Sequence, residues 1–177
     1  MPTNMKRIIA QQMLAMMRER SIDKITVKAL IEACDISRQT FYYHFRDIMD
    51  VLEWILSQSM ERMLQRSLKS GSPQEAMEIF IRETEENKDL IRKLLASSRR
   101  VELEAMFVKT LREYLEKMAD QRRPDLVVSY ADKEFLLDFW SYGLTGMLFK
   151  YSCSKEIPDA PGLTKRLGRL LSGELQK

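Results

Sequence analysis

At 177 residues the chain can bury a real core in one domain or two small ones, and its apolar and charged fractions suit a soluble globular protein. A net charge of +3 excludes a general polyanion binder, so any nucleic-acid surface must be local. Six glycines and five prolines are few, which favours long helices over a strand-and-turn architecture.

In chain order, Met5 to about Arg20 is predicted as a helix with Ile8, Ile9, Met13, Leu14 and Met17 on one stripe. Lys6, Arg7, Arg18 and Arg20 lie off that stripe. The opening residues lack a long apolar run and a small-residue cleavage site, so no secretory signal is expected. Ser21 to Ile25 is a connector whose Ile22 and Ile25 are expected to enter a core. A second helix follows Thr26, whose hydroxyl caps the first turn, with Val27, Leu30, Ile31 and Cys34 at helical spacing. The chain turns at Asp35-Ile36-Ser37, and Ser37 caps a shorter helix to about Phe45. Two short helices joined by such a turn make a helix-turn-helix.

At about 100° per residue, Phe41 and Phe45 share a face whose centre lies about 180° from Tyr43. Gln39 and Thr40 lie on Tyr43's side, and Tyr42 and His44 flank it. The phenylalanines anchor the helix while donors and acceptors face outward, as a helix in a DNA major groove requires. Arg38 adds positive charge in the first turn, and Lys28 opens the helix before. The plainer alternative is a helical hairpin that is polar outside because the outside is wet.

The run S-R-Q-T-F-Y-Y-H-F after T-V-K-A-L resembles the DNA-binding domain of the TetR family of transcriptional regulators, densely over about Ile22 to Leu52. The resemblance implies that the first helix packs over the next two and that preceding residues, here Lys6 and Arg7, can reach DNA. It assigns Thr26, Lys28, Thr40, Tyr42 and His44 mainly to phosphate, and leaves Gln39 and Tyr43 for base edges with Ser37 and Arg38 beside them. Two positions depart from the family pattern. Asp35 stands where Gly is usual, and Ile48 stands where a phosphate-contacting Lys is usual, which costs one contact per subunit.

Asp47 caps a long helix, Ile48 to about Ser67, with Val51, Leu52, Ile55, Leu56, Met60, Met63 and Leu64 on its apolar side. By resemblance it is the lever between a head, residues 1–47, and a ligand-binding and dimerisation body, residues 48–177. After the loop Ser67–Pro73, helices are predicted at about Gln74–Glu86, from Asn87 as a cap, and at about Arg99–Gln121. Arg122-Arg123-Pro124 ends the last of these. About Asp132 to Tyr151 is apolar nearly all round, so it is buried on more than one side. Lys133, Glu134, Asp138 and Lys150 leave too short an uncharged run for a membrane span. A subunit interface explains the segment better, and Gly143 and Gly146 mark either that interface or local packing. A final helix, about Leu163 to Leu175, carries leucines at 163, 167, 170 and 171. The resemblance makes these last two helices the homodimer contact.

His44 is the only histidine, and Cys34 and Cys153 are the only cysteines, so no catalytic triad, zinc spacing or disulfide framework is expected. An all-α, non-enzymatic cytoplasmic protein without cofactor or metal is the expectation. Met63, Phe80, Met106, Phe107, Tyr114, Phe139 and Trp140 either line a small-molecule effector cavity or fill a plain core. The sequence therefore reads as a homodimeric regulator, repression being the family's commoner outcome, on a pseudo-palindromic DNA operator. The alternative is a co-regulator that works by protein contact without independent DNA binding.

Overall fold

Local capping chemistry sets most helix boundaries in a computed structural model that describes residues 2–122, 124, 127–154 and 160–171. Every regular element among them is helical. Helix α1, Pro2–Glu19, ends where the Lys93 ammonium donates to the Met17 and Arg18 carbonyls. A 3-10 turn, Ile22–Lys24, leads into α2, Val27–Cys34, where Thr26 Oγ1 accepts from the Ala29 N–H at 3.1 Å. Asp35 then takes the left-handed conformation, φ 51°, and the Ile36 and Asp35 N–H groups close back onto the Ile31 and Glu32 carbonyls. This double closure is a Schellman ending, usually made by Gly.

Helix α3, Arg38–His44, starts from Ser37, whose Oγ accepts from the Thr40 N–H at 2.9 Å. Helix α4, Ile48–Leu68, is capped reciprocally. Asp47 accepts from the Asp50 N–H at 2.9 Å, and the Asp50 carboxylate accepts from the Arg46 N–H at 2.8 Å. Ser72 and Pro73 open α5, Pro73–Glu86, as the loop signal implied. Asn87 lies between α5 and α6, Lys88–Leu95, but its amide donates to the Glu83 carbonyl instead of capping α6. Helices α7, Arg100–Arg122, α8, Tyr130–Cys153, and α9, Ala160–Leu171, complete the chain. Arg123, the span 172–175 and the side chains of Leu170 and Leu171 lie outside the described residues.

Two large apolar cores and a small third one, Ile91, Leu95 and Phe149, are formed among the described residues. The first joins α1 to α4 around Ile9, Met13, Leu30, Phe41, Phe45 and Val51, with Leu94 and Leu103 entering from α6 and α7. Its α1 stripe differs from the sequence reading: Met16 is buried and Ile8 is exposed, so the inward face is rotated by about one residue. The second core gathers Met63, Leu64, Phe80, Leu111, Tyr114, Leu144, Leu163 and Leu167, with α9 seated on α5. Across the junction, the Asp23 carboxylate accepts from the Ser98 N–H at 3.1 Å and the Ser98 hydroxyl at 2.8 Å. Those two hydrogen bonds hold the Asp23 carboxyl below its usual range. No helix among the described residues is long and apolar enough to cross a membrane.

Candidate nucleic-acid interface and body cavity

Phe41 and Phe45 are 0% and 2% exposed, and full burial of one such ring is worth about 1.5–3 kcal/mol. That anchoring fixes the rotation of α3 and turns Tyr43, at 78% exposure, straight outward. Arg38 and Gln39 are exposed beside it, and Thr40 is half-buried. Neighbouring side chains order this face. The Arg38 guanidinium lies 5.9 Å from the Tyr42 ring centroid, and the Tyr43 and His44 rings meet edge-on at 5.0 Å. Ser37 and Thr40 share a hydroxyl–hydroxyl bond of 2.8 Å. Thr26 is exposed at the start of α2, and Lys28 is exposed with Glu32, at 3.9 Å, as its ion partner among the described residues.

Two features were not read from the sequence. Ile48 is 6% exposed and belongs to the first core, so the position where Lys would meet phosphate is turned inward. Arg46, two residues earlier, points out with 83% side-chain exposure and a 3.5 Å contact to Asp50. Its place just before the α4 cap was the available signal. At the other flank, Lys6 packs its ammonium over the Phe45 ring at 5.0 Å, while Arg7 is exposed.

A partly open cavity of about 290 Å³ lies between α1 of the head and α4, α5, α6, α7 and α8. Met63, Phe80, Met106 and Phe107 line it. Tyr114, Phe139 and Trp140 do not. Tyr114 stacks on Phe80 from behind and gives its hydroxyl to Ser67 Oγ at 2.8 Å, and burial raises its phenol pKa. Phe139 is 57% exposed on the outer face of α8, and Trp140 packs in the second core. The reason is that α8 is apolar all round, so periodicity gives it no unique inward face. On that outer face Phe135, Phe139 and Tyr142 are exposed, and a Cβ added at Gly143 or Gly146 would meet nothing within 4 Å. Among the described residues, no group of three His, Cys, Asp or Glu side chains is placed to hold a metal ion.

A three-helix head with an outward aromatic helix, joined by a long helix to an all-α body, defines a transcriptional regulator of the helix-turn-helix class. Residues 13–54 match the family described as bacterial regulatory proteins, tetR family, and residues 71–171 match the transcriptional regulator C-terminal region. The chain belongs to the TetR family of transcriptional regulators. Among solved structures it resembles the dihydroxyacetone kinase operon activator DhaS at 18% identity, covering 97% of this chain and 96% of that one with a TM-score of 0.67. It also resembles Lin0861 from Listeria innocua at 14% identity, covering 97% and 92%, with a TM-score of 0.69. At these identities the likeness is one of fold. No curated protein matches the chain.

Proposed function

We propose that the chain acts as a homodimeric repressor whose two heads, residues 1–47, insert α3 into successive major-groove faces of a pseudo-palindromic operator. Gln39 and Tyr43 then read base edges, while Thr26, Lys28, Thr40, Tyr42 and His44 hold phosphate and fix register. The observation that carries this reading is Tyr43, 78% exposed opposite two phenylalanines that are almost wholly buried. The outward stripe of Phe135, Phe139 and Tyr142 beside two unobstructed glycines supports dimerisation through α8, with α9 alongside. In the body, residues 48–177, a small molecule in the cavity shifts α4 and changes the separation of the heads. Such a ligand must bind one head spacing better than the other.

The co-regulator alternative draws on inward Ile48, but an outer face of Gln39, Tyr42 and Tyr43 kept free of the core favours groove contact. Anisotropy titration against DNA upstream of the chain's own gene tests the proposal. Saturable binding at low salt supports it, and flat curves contradict it. A reporter fusion separates repression from activation, the activity in the name of DhaS.

A further inference from the structure

The cavity wall is mostly apolar, with Ser59, Arg62, Glu83, Thr84, Asn87 and Thr145 as its polar residues, and two of these bear on what it binds. Thr145 is among the lining residues, and its Oγ1, buried in the wall, has no hydrogen-bond partner in the described protein. Buried hydroxyls are nearly always paired, so an orphan in a cavity wall is where a small adjustment of the wall would let a ligand atom bond. Arg62 is among the lining residues, is exposed, and among the described residues has a single hydrogen bond, to Ser59 Oγ at 3.2 Å. No carboxylate among the described residues pairs with it. Glu83, the carboxylate among the lining residues, is already paired with Arg66. The lining therefore holds one uncompensated guanidinium beside an apolar interior.

We infer that the cavity takes an anionic amphiphile, its carboxylate held by Arg62 and its apolar body carrying one hydrogen-bonding atom for Thr145. This inference rests on the effector reading of the body. Charge-assisted, bidentate geometry makes a guanidinium prefer a carboxylate to a neutral head, and a cationic head is repelled. Size limits the chain. The cavity of about 290 Å³ suits a chain of medium length.

The position of the cavity gives the ligand its effect. Leu14 and Met17 of α1 line it, as do Leu52 and Ile55 of α4. The apolar end of a bound chain thus touches the first helix of the head as well as the lever, and its contacts depend on how the head sits.

Calorimetric titration of the full chain with decanoate, decanol and decyltrimethylammonium, each below micelle formation, reads the head-group assignment. Decanoate is expected to bind at least tenfold more tightly than decanol, with the cationic probe weakest. Arg62→Gln, on an exposed side chain, should erase the advantage of decanoate and leave decanol unchanged. Equal binding of decanoate and decanol, or indifference to Arg62→Gln, overturns the charge assignment while leaving the cavity a binding site. Binding of none of the three probes overturns the effector reading, and this inference with it. A series of decanoates with the hydroxyl moved along the chain reads the second contact. One position should bind several-fold more tightly than decanoate, and Thr145→Val should abolish that gain. A series without such a position refutes the Thr145 contact.

Discussion

Replacing Ile48 by Lys separates two roles for one position. Ile48 is 6% exposed in the head core, where burial of its side chain is worth about 1.5–3 kcal/mol. The aliphatic stem of a Lys recovers part of that packing as its ammonium turns outward, which leaves a loss of about 1 kcal/mol. In a chain of 177 residues this lowers Tm by roughly 2–4 °C. Position 48 is the first residue of α4, on the side of the head where the family's Lys meets phosphate. One added contact per head steepens the dependence of log affinity on log salt by ~0.9, or ~1.8 for two heads. Between about 50 and 200 mM salt, Ile48→Lys should therefore lose about twelvefold more affinity than the unsubstituted chain. Fluorescence anisotropy with one operator duplex across that range measures the slope, and thermal unfolding measures the stability. An unchanged slope with a folded protein means that the side chain at position 48 does not approach phosphate in the complex.

Tyr43→Ala should leave stability within about 0.5 kcal/mol, because the ring is 78% exposed, yet weaken operator binding by about tenfold or more. Urea unfolding and anisotropy check the two halves. Asp35→Gly should raise stability by ~0.5–1 kcal/mol, since at φ 51° Gly removes the steric cost of the left-handed conformation. A lower urea midpoint would refute that account of the turn. Phe139→Glu should convert a dimer to a species with the mass of one chain in light scattering, with helicity unchanged, because the ring is 57% exposed on the subunit. A persistent dimer would place the interface elsewhere.

The head was legible from the sequence because its signals are local. Thr26, Ser37 and Asp47 each accept from an N–H three residues on, and the Phe41–Phe45 spacing fixes one face without help from the rest of the chain. Asp35 was legible for the same reason: a left-handed residue between two capped helices is a property of a few neighbours. The body was legible only as a succession of helices. The cavity is lined by residues as distant as Leu14 and Phe149, and no periodicity within one helix reports such a meeting. Phe139 went outward and Phe149 inward on the same helix because α8 has apolar side chains in every direction. Asn87 was legible as a helix junction but not as the closing group of α5, since an amide can serve either side. Ile48 shows the limit of a family pattern. The pattern identified the position, while the direction of the side chain depends on the core beneath it.

The most direct measurement is selection of bound duplexes from a random DNA pool by the purified chain at low salt. The account predicts enrichment of an inverted repeat whose half-sites are separated by one helical turn or a multiple of it, and loss of that enrichment in Tyr43→Ala. A pool that stays random, or an enriched motif that Tyr43→Ala binds equally well, would contradict it.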